Sequence, residues 1–517
     1  MFTAFFQTIP LGFRVAFSPT GTYRVVLPGS TGLNEEEFFM KVQGKELSGE
    51  EGDFSKRYSA AEVAELYLER RDLVKQDGLG LKYYIGDFYR YDGSRFLRVS
   101  RDELRADVMR FLQESKVTKR QATINVANNV LANLEGKALI SGSRQMPFFI
   151  SDDSRDAGRL IPLANGIFDW RLARIGHENY FLHHTTDFFS TNCLPFAYEP
   201  TAKCPTWLNF LSQMLPDEDV QAFLQEWFGY NLVPDTTQQT FVLCVGDGAN
   251  GKTVVCCVLR ALLGRGNVSA VGLEQFNPVR TFALASMIGK LANVVEEISE
   301  TDRVAEGVLK DYVSGGLMTL EHKFGRSFEA NAKARLTFAT NVLPRFKDRS
   351  GGLWRRMMPI PFDVQIGDPA RQDKRLADQT WWEGSGELPG ILNWALVGLN
   401  RLTEQGSFTQ PDACLSLRKD YRHESNPAES FLHDHCVARN LGSISSMELY
   451  TKYSNWMKQQ NANPLGNAQF TREIKKTFKS ARLSENAKSQ SDGRRSRVWE
   501  GIELKDNFHQ GEEDDFF

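Results

Sequence analysis

The 517-residue chain carries 62 Lys and Arg against 65 Asp and Glu, and 41% of its residues are hydrophobic. That length exceeds what one core can use and predicts several domains. The near-neutral balance excludes a uniformly cationic nucleic-acid clamp, and no apolar stretch approaches the roughly 20 residues that cross a bilayer, so no membrane partner is expected.

Residues 1–17 are apolar in places, but Gln7, Pro10 and Arg14 interrupt them and no basic leader precedes them, which argues against a secretory signal. Residues 1–84 receive no assignment as a domain. They hold short apolar runs, a Gly- and Glu-rich linker over residues 48–53, and an amphipathic helix starting after a Ser59 cap. Residues 85–204 read as a mixed α/β domain. Aromatics alternate around turn signals over residues 83–96, which predicts a hairpin or meander; helical patterns cover 102–136, and a β-rich patch surrounds 163–170. Residues 205–234 are helical by their spacing of Trp207, Phe210, Leu211, Phe223, Leu224 and Trp227. The seven cysteines are scattered without zinc-site spacing, the pattern of buried thiols in a reducing cytoplasm. His433, Asp434, His435 and Cys436 stand together, yet no second half of a metal site accompanies them.

Residues 241–245, Phe-Val-Leu-Cys-Val, predict a buried strand, and residues 254–263 predict a helix that stops at Gly264. Between them stand Gly246, Asp247, Gly248, Ala249, Asn250, Gly251, Lys252 and Thr253, the phosphate-loop pattern in the strand–loop–helix context it requires. Glycines there let backbone N–H groups close around phosphate oxygens at a helix N-terminus. Lys252 offers a point charge to the outer phosphates, and Thr253 a hydroxyl to Mg²⁺, so ATP and Mg²⁺ are the implied cofactors. Residues 291–297 predict a strand ending in Glu296 and Glu297. One carboxylate there can hold the metal, for which Glu296 is the candidate, and the other can orient or deprotonate the attacking water. Residues 335–341 predict another buried strand, with Asn341 at its tip able to bond the γ-phosphate or the lytic water. Arg355 and Arg356 then lead into an apolar strand, which suits an arginine finger offered to a neighbouring subunit.

In this order the stretches resemble the superfamily 3 helicases, most closely the helicase module of phage, plasmid and poxvirus primase-helicases. Asn165-Gly166-Ile167-Phe168-Asp169 resembles an upstream signature of the family. Pro205-Thr206-Trp207-Leu208 and Glu226-Trp227-Phe228-Gly229-Tyr230 resemble its pre-loop helices, Asn250-Gly251-Lys252-Thr253 its phosphate loop, and Thr340-Asn341 its sensor. Leu353-Trp354-Arg355-Arg356 resembles its finger, and residues 388–394 its helical lid. Many members carry Asp first in the acidic pair or a lone Glu, so Glu296-Glu297 leaves open which residue meets the metal; the adjacent arginines leave the finger open between Arg355 and Arg356.

The resemblance implies a P-loop AAA+-like α/β core over residues 205–420, with a helical N-terminal region and a C-terminal winged-helix domain over 426–506. It implies a ring-shaped homo-oligomer, a hexamer, that unwinds DNA in replication, with a single strand in the channel and duplex at the C-terminal domain. A hairpin over residues 319–328 would carry Lys323 and Phe324 to the strand. Residues 427–440 and 446–459 read as helices, and residues 472–497 hold nine Lys and Arg against three acidic residues. Arg472, Lys475, Lys476 and Lys479 would lie on a recognition helix and Arg494, Arg495 and Arg497 in a wing. The acidic, Phe-terminated tail over 507–517 resembles the tip of bacterial single-strand-binding proteins and suits docking to a host or element replication protein. No cysteine precedes Cys193, and no strand ending in Asp-x-Asp stands out within residues 1–150, so no primase is expected here. The host cytoplasm is the expected location. An origin-binding regulator that uses ATP only as a switch is the alternative reading.

Overall fold

Five short apolar segments make the central parallel sheet. They are β1 (Phe241–Val245), β2 (Val268–Ser269), β3 (Ala292–Val295), β4 (Arg335–Thr340) and β5 (Met357–Pro361). Their spatial order is β2-β3-β4-β1-β5. Each side of β1 bonds a parallel neighbour, Val242 opposite Thr337 on β4 and Val242 opposite Met358 on β5. Parallel strands covered on both faces read as continuous apolar runs, and β4 is buried along its whole length.

The computed structural model describes residues 57–114, 118–279, 281–298, 305–321, 327–344, 346, 351–365, 372–460, 462–488 and 495–505, and the backbone of two paired strands, Arg14–Phe17 and Tyr23–Val26. The linker expected at residues 48–53 lies outside the described residues. The chain divides into two units, Met1–Lys56 and Arg57–Phe517.

In the second unit, helices Ala60–Arg70, Arg101–Glu114 and Ile124–Ala138 share one apolar core with the meander Leu81–Tyr84, Asp87–Tyr91, Phe96–Val99. Ser59 caps the first helix and Glu62 returns the bond, as the Ser59 start predicts. Tyr67 and Arg90 both bond Asp107, at 2.6 and 3.0 Å, tying helix to sheet. A domain boundary between residues 84 and 85 would therefore cut a hairpin, since Tyr84 pairs with Asp87. The helix from Ala60 belongs with the meander and the two later helices, because its buried face packs into their shared core.

Two helices precede β1: α1 (Pro205–Met214) and α2 (Glu218–Tyr230). The phosphate loop feeds α3 (Lys252–Leu263), and α4 (Leu388–Gln405) and α5 (Asp412–Ser425) come after the sheet. A Cβ on Gly398 of α4 would lie 2.3 Å from the Gln225 carbonyl, and one on Gly229 of α2 would lie 2.4 Å from that of Ala395. The two helices pack backbone to backbone because these residues lack side chains. Beside that contact Glu226, fully buried, accepts from Arg401 Nε at 2.6 Å and from the Thr409 amide at 2.8 Å. The Glu387 carboxylate, just before α4, accepts from the backbone amides of Thr206 and Trp207 and so caps α1.

The C-terminal elements are α6 (Pro427–His435), β6 (Cys436–Ser445), α7 (Ser446–Gln459), α8 (Asn467–Thr477), β7 (Arg482–Lys488) and β8 (Arg495–Leu504). The helix expected over 427–440 stops at His435, where Cys436 starts a strand paired with Leu504. Burial of Cys436, Phe431 and Ile502 in one core outweighs continued helix there. Tyr453 and Phe470 stack at 4.1 Å inside that core.

Gly398→Ala should lower stability by about 1–3 kcal/mol through overpacking, read as a shift in denaturant midpoint. Gly384→Ala, where an added Cβ meets nothing within 4 Å, should leave the midpoint within error.

Candidate functional site

Parallel strands present their carboxyl ends on one side, and ligands of such sheets bind there. Three strand ends and one helix enclose a cleft of about 670 Å³. The loop after β1 forms its floor, Glu296 and Glu297 after β3 one wall, and Asn341 after β4 stands between them, because β4 is inserted between β1 and β3. Lys252, Thr253, Glu296, Glu297 and Asn341, picked from distant stretches of sequence, thus meet in one place.

The loop conformation is set by its small residues. Gly248, Ala249 and Gly251 have φ of 101°, 49° and 89°, a region that favours glycine. Ala249 shares the left-handed turn that the glycines alone were expected to supply. Gly246 has a different reason: a Cβ there would stand 2.5 Å from the Phe362 carbonyl. The Lys252 ammonium, buried, donates to the Gly246 carbonyl at 2.5 Å and to Asn250 Oδ1 at 2.9 Å. The Asn250 amide in turn donates to the Phe362 carbonyl at 2.8 Å, beyond the end of β5. Burial holds the Lys252 pKa below its ordinary value, because the charged form loses water. Such an ammonium, held by neutral acceptors, gains strongly from an anionic oxygen. Thr253 is exposed at the start of α3, and Asn341 is exposed at the tip of β4.

The two carboxylates differ. Arg260 of α3 forms an ion pair with Glu296, while Glu297 is exposed. With Thr253 in the same cleft, hydroxyl and carboxylate oxygens are the donor set that Mg²⁺ prefers. Among the described residues no group of three His, Cys, Asp or Glu converges as a metal site, and the run from His433 to Cys436 is split by the end of α6.

Sequence reasoning missed several residues of the cleft. Thr206, Asn209, Phe210 and Gln213 line it from α1, and Gln372, Asp373 and Lys374 from the far side. The helical spacing of Phe210 signalled only a core position. Its ring also closes the site, since a Cβ on Gly251 would stand 2.7 Å from Phe210 Cζ.

Arg355 and Arg356 lie outside the cleft, before β5. Arg356 is held within the chain: it donates to Ser314 Oγ at 2.8 Å, Gln239 Oε1 at 3.1 Å and the Gly352 carbonyl at 2.8 Å. Arg355 is exposed and lines a separate cavity of about 470 Å³ with Trp354, Arg418, Lys419, Arg422 and His433.

Of the candidate nucleic-acid residues, Lys323 and Phe324 lie outside the described residues; the hairpin that carries them pairs Leu317–Glu321 with Ser327–Asn331. Arg472 and Lys475 are exposed on α8, Lys479 is exposed just past it, and Arg497 is exposed on β8. Lys476 stands 3.9 Å from Glu429 and 3.7 Å from Glu473, so part of its charge is met within the domain. Arg495 begins β8, and Arg494 and the acidic tail over 507–517 lie outside the described residues. No described helix is long and apolar enough to cross a membrane.

Comparison with known proteins adds an independent line. Residues 65–216 match the family described as D5 N terminal like, and residues 244–356 match a family of unknown function, DUF5906. A candidate helicase of Acanthamoeba polyphaga mimivirus, L207/L206, is 21% identical over 332 residues, covering 60% of this chain and 34% of the relative. Another candidate helicase, 121R of Invertebrate iridescent virus 3, is 22% identical over 366 residues, covering 64% of this chain and 39% of the relative. These matches support a place in the phage and viral primase-helicase family. It spans little more than a third of the length of these curated relatives. The apo structure of the NrS-1 C-terminal region superposes with a TM-score of 0.48 at 10% identity, covering 86% of this chain and 100% of that one. The family match from residue 65 includes most of the first long helix, in agreement with the shared core that carries it past residue 84.

Gly251→Ala should force a strained left-handed alanine against Phe210 and weaken binding of a fluorescent ATP analogue by at least about tenfold. Normal affinity in that variant would contradict this account of the loop.

Proposed function

We propose that this chain is an ATP-driven DNA helicase of the superfamily 3 type, acting as a hexameric ring in replication of a phage, virus or related element. One observation carries the reading: Lys252, Thr253, Glu296, Glu297 and Asn341 share a cleft, while Arg355 is exposed away from it. The sheet order is that of an AAA+-like core, which supports reading residues 205–420 as the motor.

In this mechanism Lys252 leaves the Gly246 carbonyl and Asn250 to meet the outer phosphates of ATP, and the amides of residues 248–253 cradle them. Thr253 and one carboxylate would hold Mg²⁺, which would screen phosphate charge. The pairing of Glu296 with Arg260 leaves Glu297 the freer carboxylate to orient the attacking water, and Asn341 positions that water or the γ-phosphate. Arg355 reaches a neighbour's nucleotide as the finger, and Arg356 shapes the turn that presents it. An active site completed by a second subunit requires assembly, and a closed ring satisfies that requirement for every subunit.

For the C-terminal domain, the order helix, strand, helix, helix, strand, strand supports a winged helix over residues 426–506. Arg472 and Lys475 face outward on α8 and would meet duplex, with Lys479 and Arg497 at the edge. Lys323 and Phe324 are proposed for the single strand in the channel. The acidic tail is proposed as a dock for a replication protein. Seven free cysteines, all buried, suit a reducing host cytoplasm.

Lys252→Ala should abolish ATP hydrolysis while duplex binding by residues 426–506 persists; hydrolysis at the normal rate would remove the assignment. Arg355→Ala should be equally inactive alone, yet mixing it with Lys252→Ala subunits should restore part of the activity, because a mixed interface pairs an intact loop with an intact finger. Unwinding of a forked duplex with ATP tests the whole proposal. Full ATPase with duplex binding but no strand separation would instead favour the switch-type origin-binding reading.

A further inference from the structure

At the amino-terminal ends of the sheet strands, opposite the nucleotide cleft, lies a second cavity of about 510 Å³. The meander residues Tyr84 and Ile85 and the segment 142–147 form one wall. The base of the 317–331 hairpin and the starts of β3 and β4 form the other. β4 separates this cavity from Asn341 by its own length, roughly 17 Å.

Three cations line it: Lys290, Lys333 and Arg335. Arg335 is buried and the two lysines are half-buried; cations so withdrawn from water are ordinarily paired with carboxylates, and these are not. Lys290 donates to the Gly266 carbonyl at 2.5 Å and Lys333 to the Met146 carbonyl at 2.7 Å. Arg335 is only 4% exposed, and its guanidinium donates to the carbonyls of Lys333, Val233 and Asp235 and stacks on Tyr230. Its Nε has no acceptor. Among the described residues none of the three cations has a carboxylate oxygen within 4 Å; Glu329, in the cavity lining, is exposed at the rim. Burial, then repulsion from Arg335, pulls the Lys333 ammonium down to about 8. Burial, then repulsion from Arg95, also lowers that of Lys290. Three positive groups whose hydrogen-bond partners are neutral, one with an unused donor, are a site for an anion that would relieve the repulsion between Lys333 and Arg335; the Asp235 carboxylate near Arg335 is occupied by Thr237.

We infer that the cavity enclosed by Lys290, Lys333 and Arg335 is a phosphate-binding site, separate from the nucleotide cleft, built between the N-terminal meander and the base of the hairpin. A phosphate group matches it in charge and acceptor geometry. Two sources share that chemistry: the backbone of a single strand passing the hairpin, and a free polyphosphate. The hairpin above the cavity favours the strand. The inference does not rest on the assignment of the nucleotide cleft, because its readout is binding and not hydrolysis.

The test uses the full chain with Lys290→Gln and Lys333→Gln combined; both positions are half-buried and neither holds the backbone together as Arg335 does. Labelled oligo(dT) binding by anisotropy over a range of salt, and tripolyphosphate binding by calorimetry in a Lys252→Ala background, form two arms. For a strand phosphate, the double variant should lose about tenfold in oligo(dT) affinity, and the slope of log Kd against log salt should fall by roughly 1.4. For a free polyphosphate, oligo(dT) binding is unchanged and the tripolyphosphate signal that survives Lys252→Ala disappears. Either outcome supports the site and names its source. Lys290→Arg with Lys333→Arg should rescue the affected arm, which a fold defect would not allow. Unchanged binding in both arms, or failure of the arginine rescue, would overturn the inference.

Discussion

The Asn250 side chain stands between two parts of the core that the chain makes a hundred residues apart. It receives the Lys252 ammonium on its oxygen and hands its own amide to the Phe362 carbonyl beyond β5. Lys252 thereby holds its place before any phosphate arrives, and the loop is tied to the edge of the sheet it must work beside. A buried ammonium without such acceptors would lose its water for nothing. With them it is poised, since two neutral acceptors hold it less strongly than an anionic oxygen would. Gly246 and Gly251 obey the same constraint. One admits the Phe362 carbonyl and the other admits the Phe210 ring, so the loop is clamped on both faces.

The clamp passes outward through helices. Phe210 sits on α1, whose first amides are capped by Glu387 at the head of α4, and α4 lies against α2 through glycine contacts and the buried Glu226–Arg401 pair. Movement of α4 would therefore reach the wall of the cleft through one polar cap and one ring. The paired arginines divide the work in the other direction. Arg356 spends its donors on Ser314, Gln239 and the Gly352 carbonyl, which shapes the turn, and Arg355 is left facing solvent. The proposed nucleotide cleft and the proposed phosphate site would stand at opposite ends of the sheet, linked by the length of β4.

Much of this architecture was legible in the residues. The phosphate loop, the strand ending in Glu296 and Glu297, the strand ending in Asn341, and the helices at 205–234 and 388–405 are local patterns, set by backbone sterics and by which face must leave water. The Ser59 cap and the helix at Ser446–Gln459 came from the same rules. The helix expected to run to Asn440 ended early because Cys436 pairs with Leu504, a partner nearly seventy residues away that no local window contains. The break sought at residue 84 failed for a similar reason: the helix from Ala60 is covered by Ile124–Ala138 and the meander, not by its sequence neighbours.

The sequence by itself determined the chemistry of the proposed motor: which oxygens, ammonium and amides exist, and their order along the chain. That is so because phosphate-loop geometry depends on φ preferences within eight residues. Only the tertiary structure decided which residues share a cleft, that Glu296 is paired with Arg260, that Arg356 is occupied and Arg355 is exposed, and that Lys290, Lys333 and Arg335 line one cavity with no carboxylate oxygen within 4 Å among the described residues. Those outcomes depend on strand order and on long-range burial. Charges far apart in the chain acquire partners, or lack them, only after the core has closed.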